Sequence, residues 1–410
     1  MKIRFFMKYQ PKCSFVIFCY LLGIVTSASS QTWVRTSAPT NNFWQTMAAS
    51  ADGTKLLAVE QENIYISTNS GNTWMAANPS PSSSSWQAAA SSADGVILAA
   101  GSYGGLYIST NSGITWQLNT NAPQNVWYWS IATSADGMKM IAAPYYDTSA
   151  GNPQLLYLSK DQGNSWTAAA APSNHWVAVA SSADGTKLIA LPFDGLVYIS
   201  SDSGTTWTSN NVTAYWRSIA CSADGTKAVA VANPGQIYTS TNSGISWSSH
   251  FVSGSKTGFG SVASSSDGTR LVASGSEGSA PIFVSTNSGN TWKEQTNASV
   301  IAEWNAVASS ADGHKLFAAT YGLLGNDNSG GIYNLQTTPS PQLNLTLAST
   351  NLTISWTVPS TNFVLQQNID LTTTNWLTIS NSFSLNYTDI QYQANLAPTN
   401  SGSFYRLANP

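Results

Sequence analysis

Apolar positions along this chain come in short runs broken by Gly, Asp, Asn and Ser, without the three-to-four residue recurrence of an amphipathic helix. From Trp44 to Ser50 the residues are apolar or small, Asp52-Gly53 interrupts them, Lys55 to Val59 is apolar again, Asn63 to Thr68 alternates, and Trp74 opens a last short run. Alternation argues for strands. Asp-Gly supplies a local side-chain acceptor and a residue tolerant of positive φ, which is hairpin chemistry. Four strands per unit follow.

The unit repeats. Seven turns of the Ser-Ala-Asp-Gly type place aspartates at Asp52, Asp94, Asp136, Asp184, Asp224, Asp267 and Asp312. Their mean spacing of about 43 residues is the length of one four-stranded propeller blade. A second element keeps the same phase: Ser67 to Trp74 (STNSGNTW), Ser109 to Trp116, Ser159 to Trp166, Ser200 to Trp207, Ser240 to Trp247 and Ser285 to Trp292. The seventh unit has no such element and runs from Gly331 to Leu335 into TTPSPQ. At the other end, Gln31-Thr32-Trp33 is similar to Asn72-Thr73-Trp74. Thr32 to Thr36 is therefore expected to be the outer strand of the last blade, closing the ring and removing exposed sheet edges. The expectation is an all-β, seven-bladed β-propeller over residues 31–336, a linker over 337–342, and a small β-sandwich over 343–410, where short alternating strands recur.

Residues 1–30 read differently. Lys2, Arg4, Lys8 and Lys12 precede an apolar run from Phe15 to Val25 and small residues up to Ser30. That is the pattern of a secretory signal peptide cleaved near Ser30, and the run is shorter than the roughly 20 residues of a membrane span. A secreted, extracellular or periplasmic protein is expected. Removing the four leader cations from 16 basic groups leaves 12 against 19 acidic ones, a net of −7. Nucleic acid is a poor partner for such a chain, and 46 aromatic residues (16 Trp, 17 Tyr, 13 Phe) argue against disorder. Cys13 and Cys19 fall in the leader, so Cys221 has no partner for an intramolecular disulfide.

The second repeated element, Ser-x-Asn/Asp-x-Gly-x-Thr/Ser-Trp, resembles the Asp-box of the bacterial neuraminidase repeat, found in sialidases, sortilin-like receptors, photosystem II assembly factors and some xyloglucan hydrolases. Its third place holds Asn69, Asn111, Asn242 and Asn287 against only Asp161 and Asp202, and Asn still accepts turn hydrogen bonds. The resemblance covers about residues 32 to 336 and implies a scaffold, with the box as a structural hairpin. The stretch from Asn351 to Ile379 is similar to terminal fibronectin-like modules of secreted bacterial proteins, which implies a spacer or surface-association role.

In such a blade the Asp-Gly turn and the box turn share one face, and the interblade and second-to-third-strand loops share the other. Eight residues before each turn Asp stands an aromatic: Trp44, Trp86, Tyr128, Trp176, Trp216, Phe259 and Trp304. These are candidate ligand-binding rings around the axis. Packing between blades is the competing expectation, because repetition in every blade is what a core requires. Acids outside the turns gather in the loops of the same face, at Glu60, Glu62, Asp147, Asp194, Glu277, Glu303 and Asp327, with Tyr103, Tyr145, Tyr146, Phe193 and Tyr321 beside them. Rings that cover an apolar surface and carboxylates that accept hydroxyl or cationic donors suit a glycan or protein ligand.

Enzymatic readings are weaker. Sialidase activity would need three convergent arginines, and Arg35, Arg217 and Arg270 fall on an outer strand, the loop face and the turn face. A glycoside hydrolase could draw two carboxylates from Asp147, Asp194, Glu277, Glu303 and Asp327, though no local pattern marks an acid. His175, His250 and His314 lack ligand spacing, so neither metal nor cofactor is expected. The sequence thus favours a monomeric, non-catalytic binding or scaffold protein, with a hydrolase and an assembly-factor-like scaffold as the alternatives.

Overall fold

The computed structural model describes residues 7–9, 33–40, 42–77, 85–124, 126–145, 154–252, 258–276, 281–295, 303–321 and 330–336, and toward the C-terminus 343–347, 352–357, 364–369, 373, 375–379, 384–386, 391–396 and 403–408. These divide into two compact units, one of them holding the propeller repeats.

In that unit the strands form seven antiparallel blades. Blade 1 consists of Trp44–Ala49, Leu56–Glu60, Ile64–Ser67 and Met75–Ala76, hydrogen-bonded in that order. Blades 2, 3 and 6 repeat it from Trp86, Trp127 and Phe259. Blades 4 and 5 share one long strand, Thr208–Cys221, whose first half is the outer strand of blade 4 and whose second half is the inner strand of blade 5. Blade 7 is closed as expected: Val34–Arg35 pairs with Ile332–Gln336, Val34 opposite Asn334 and Arg35 opposite Tyr333. Trp33, beside this strand, packs on Trp304 with ring centroids 6.3 Å apart.

Second strands such as Leu98–Ser102 and Leu271–Gly275 are buried at every position, and their small residues let neighbouring blades approach. At Gly101 a Cβ would stand 2.6 Å from the Tyr128 Cβ, so glycine there seats the next blade's ring. Each inner strand carries a β-bulge directly after its repeated aromatic, for example between Trp44 and Thr46 and between Trp216 and Ser218. The hydrophobic interior accordingly falls into seven cores, each lying between two blades and each holding one of the seven ring aromatics.

The Asp-Gly turns lock the ring. In each, a serine hydroxyl donates to the aspartate, as Ser50 Oγ does to Asp52 Oδ1 at 2.6 Å, and the same serine oxygen accepts the Lys55 N–H. The residues before the aspartates then join blade to blade. The amide of Ala51 donates to Ala93 O, Ala93 to Ala135, Ala135 to Ala183, Ala183 to Ala223, Ala223 to Ser266, Ser266 to Ala311, and Ala311 back to Ala51, all at 2.6–2.7 Å. Seven backbone bonds close on themselves. Outside that belt, Lys55, Lys139, Lys187, Lys227 and Lys315 each reach the carbonyl of the next blade's turn aspartate, at 2.8–3.0 Å.

The C-terminal residues form a four-stranded and a three-stranded sheet that share one core of Ile354, Trp356, Leu365, Ala394, Leu396, Tyr405 and Leu407. That is the expected β-sandwich. Met7–Tyr9 pairs antiparallel along Ser403–Tyr405 at the edge of one of these sheets.

Candidate functional site: the loop face of the propeller

The seven repeated aromatics are not a ligand platform. Trp44, Trp86, Tyr128, Trp176, Trp216, Phe259 and Trp304 are at most 1% exposed. Six of them meet a third-strand aromatic of their own blade edge-on: Trp44 with Tyr65, Trp86 with Tyr107, Trp176 with Tyr198, Trp216 with Tyr238, Phe259 with Phe283 and Trp304 with Tyr333, at 4.9–5.9 Å between centroids. Their polar atoms are also used in part: Trp176 Nε1 donates to Gln154 O, Trp216 Nε1 to Gly195 O and Tyr128 Oη to Pro123 O. A ligand could reach these rings only by parting two blades. The physical reason is the matched third-strand ring, which gives six of the seven aromatics a partner inside the fold. The sequence shows it as IYIS, LYIS, LYLS, VYIS, IYTS, IFVS and IYNL, one per unit.

The acids separate as well. Glu60 is buried, and its carboxylate caps the turn that follows it, accepting the Glu62 N–H at 2.9 Å and the Asn63 amide at 2.5 Å. It shapes a loop instead of facing a ligand. Asp194 is exposed beside Phe193, and Glu303 is half-buried, its backbone carbonyl accepting the Tyr321 N–H. Asp147, Glu277 and Asp327, like Tyr146, lie outside the described residues.

What does lie open on this face is a set of aromatics that the repeat does not require. Tyr103 on the blade 2 loop is 64% exposed, Phe193 on the blade 4 loop 42%, Tyr215 at the start of the blade 5 inner strand 53%, and Phe43 and Tyr321 are similarly open. They cluster in three places around the ring. Tyr103 meets Trp127 at 6.1 Å, Trp127 meets Tyr145 and Trp129 at 5.5 and 5.7 Å, and Trp129 stacks on Tyr145 at 4.5 Å. Phe193 meets Tyr215 at 6.1 Å with the Arg217 guanidinium 5.7 Å above it, and Phe43 meets Tyr321 at 5.3 Å. Tyr103, Tyr145, Phe193 and Tyr321 were legible as loop aromatics. Phe43, Trp127, Trp129 and Tyr215 were not, although each sits one residue from a repeated ring position.

Chemistry on the opposite face is that of turns. Asp184, Asp224 and Asp267 are raised by burial but more strongly lowered by hydrogen bonds from the neighbouring Ser and Thr, so all three titrate below the ordinary carboxylate value. In the second repeated element, Ser200 Oγ donates to Asp202, whose oxygens accept from the Thr206 amide and hydroxyl, holding Asp202 at about 2. The Asn versions keep the same bonds: Ser67 Oγ to Asn69 Oδ1, and the Thr73 amide to Asn69 Oδ1. Five box tryptophans close the hairpin by donating to their glycine carbonyl, as Trp74 does to Gly71. Burial pushes the Cys221 thiol up to about 12, and its S–H donates to Ser181 O, so it is no nucleophile. Arg35 is tied to Gly330 O in the closing strand, and the Arg270 stem packs near Gly313 in a turn, so the three propeller arginines remain on separate parts of the ring. Among the described residues no group of three His, Cys, Asp or Glu could hold a metal, and no helix could cross a membrane.

Fold and site together define a closed seven-bladed propeller with a structural turn face and an aromatic loop face. Among the solved structures that share this fold are two. One is a YCF48 bound to a D1 peptide, 16% identical, with a TM-score of 0.54 over 77% of this chain and 99% of that one. The other is YCF48 from Cyanidioschyzon merolae, 15% identical, with a TM-score of 0.55 over 74% and 98%. At these identities the likeness is one of fold. No family model matches the sequence, nor does any curated relative.

Proposed function

We propose that this chain is a non-catalytic, protein-binding propeller of the assembly-factor-like kind, which takes a peptide segment of its partner on the loop face. One observation carries the reading: the exposed aromatics lie on the loop face at positions folding does not demand, while the repeated polar groups described on the turn face are, Asp312 Oδ2 apart, spent on their own turns and on the ring. Rigid rings with two side-chain torsions lose little entropy on binding and suit protein contacts. A propeller of the same fold carries a bound peptide, which supports a protein over a glycan ligand. The six box hairpins are read as Asp-boxes in a scaffold role, and the terminal sandwich as a fibronectin-like spacer. Residues 1–30 are read as a leader, so the monomer acts outside the cytoplasm; N-terminal sequencing of the exported protein should begin near Gln31, and a chain still starting before Met7 would refute export by cleavage.

The test is a random peptide display selection on the purified protein, run beside a glycan array. Selected peptides should bind wild type and lose affinity in Phe193→Ala or Tyr103→Ala. An array that yields glycan binding with shortened products, and no peptide, would overturn the reading in favour of a hydrolase.

A further inference from the structure

Blade 3 alone places a tryptophan on both sides of its buried ring aromatic, Trp127 and Trp129 around Tyr128. The corresponding flanks elsewhere are residues such as Ser85 and Gln87 or Gly258 and Gly260. Trp129 occupies the bulge, Trp127 faces Tyr145 across the strand pair, and Tyr103 reaches in from blade 2. The result is a continuous aromatic cluster in two orientations, with Tyr103 exposed and the other three half-buried, Trp129 resting against the core between blades 4 and 5. Trp129 and Tyr145 are nearly parallel at 25°, whereas Trp127 stands at 74–83° to its neighbours. We propose that Tyr103, Trp127, Trp129 and Tyr145 form a docking site for a proline-containing, extended peptide segment with basic flanks. This rests on the peptide-binding reading above and names the chemistry of the peptide.

Three features select that occupant. Rings set at right angles make a stepped surface, against which the flat pyrrolidine faces of a polyproline II segment pack without further ordering cost, since the segment is already extended. Such a segment has no internal hydrogen bonds, so its carbonyls seek donors. The indole N–H of Trp127 is buried with no acceptor among the described residues, and a small ring rotation would present it to one. Polar groups beside the cluster are by contrast committed. Ser102 Oγ donates to Gly105 O and accepts the Gly104 N–H, Ser130 Oγ accepts the Val179 N–H, and the Gln124 amide donates to Asn119 O and Ala122 O. A sugar, which needs several free polar partners around a ring, is served poorly there. Charge sets the flanks: the open or half-open acids described on this face are Glu62, Asp194 and Glu303, against Arg217, which favours Lys or Arg at either end of the segment.

The test is a fluorescence anisotropy titration of the purified full chain with a labelled peptide of sequence Lys-Pro-Pro-Ala-Pro-Pro-Ala-Pro-Pro-Lys, its glycine-for-proline analogue, and chitohexaose as competitor. Saturable binding of the proline peptide is expected, at least about ten-fold weaker for the glycine analogue and at least about ten-fold weaker in Tyr103→Ala. Trp127→Ala should behave likewise if it melts normally, and Tyr103→Ala, which removes an exposed ring, keeps the test valid if it does not. Ile114→Ala on the turn face should bind as wild type. Equal affinity for both peptides, or unchanged affinity in Tyr103→Ala, overturns the inference. Display-selected peptides that bind elsewhere on the loop face would do the same while leaving the peptide-binding reading intact. A chain that selects no peptide at all defeats both, as does chitohexaose bound at Tyr103.

Discussion

The propeller carries two populations of aromatic residues within a few positions of each other, and they have opposite fates. Tyr128 is fully buried between blades 2 and 3, whereas its neighbours Trp127 and Trp129 are half-buried, Trp129 packing against the core between blades 4 and 5. Trp216 is sealed beneath Tyr238, while Tyr215 stands half open and Arg217 leans over Phe193. Repetition separates the two sets. A residue present in every blade serves what every blade must do, which is to pack on the next; a residue present in one blade is free to serve a ligand. The bulge after each repeated ring takes the following side chain off its own interblade core, so that Arg217 leans over Phe193, while Val177 and Trp129 pack against the core between blades 4 and 5.

The largest effect should come from the repeated set. Trp216→Ala leaves a cavity in the core between blades 4 and 5 and should cost about 3–5 kcal/mol in chemical denaturation. Stability equal to wild type would show that these rings are dispensable to packing.

A smaller loss is expected at the turns. Gly185 has φ of 66°, and a Cβ there would lie 2.7 Å from the Lys139 Cδ of the preceding blade. Gly185→Ala should therefore cost about 1–2 kcal/mol by the same assay.

Blade 7 departs from the repeat in a way that pH can read. Thr54, Thr186, Thr226 and Thr269 give their turn aspartate a second hydroxyl, but the corresponding residue in blade 7 is His314, and Asp312 Oδ2 is left buried without a partner. Burial raises Asp312, and burial together with Arg270 lowers His314 from 6.5 to about 4. The unfolded chain then takes up the imidazole proton first, so stability falls as pH drops from about 6.5 to about 4. Asp312 acts in the opposite sense, since its raised pKa lets the folded state hold a proton more readily and acid restores that part. His314→Thr should flatten the histidine contribution, and its melting advantage over wild type should be greater near pH 4.5 than near pH 7.5. A constant difference across that range would contradict the assignment.

The smallest effect on stability belongs to the non-repeated set. Tyr103→Ala and Phe193→Ala should stay within about 0.5 kcal/mol of wild type in denaturation while abolishing most ligand binding.

Much of the fold was legible because period and turn chemistry are local. The seven Asp-Gly turns, the box hairpins and the closing strand before Ala38 are each written in a few adjacent residues, and the pairing of Val34 with Asn334 follows from their count. The site was legible only by face. Trp44 and its six equivalents look like a ligand ring in sequence because the alternation of a strand does not reveal which side a neighbouring blade will cover. Their burial is decided by a second aromatic series, Tyr65 to Tyr333, two strands away. Glu60 misled for a related reason: an acid in a loop looks free until the turn it caps is built. Phe43, Trp127 and Tyr215 were hidden because each directly precedes a repeated ring and reads as part of it, and Trp129 because it lies in a bulge that strand alternation alone does not show.

The most direct test of a binding loop face on a structural turn face is hydrogen exchange measured with and without a display-selected peptide. Protection gained around Tyr103, Trp127 to Trp129, Tyr145, Phe193 and Tyr215, with none at the seven Asp-Gly turns, is the predicted result. Protection confined to the turns, or to the C-terminal sandwich, would place the ligand elsewhere and contradict it.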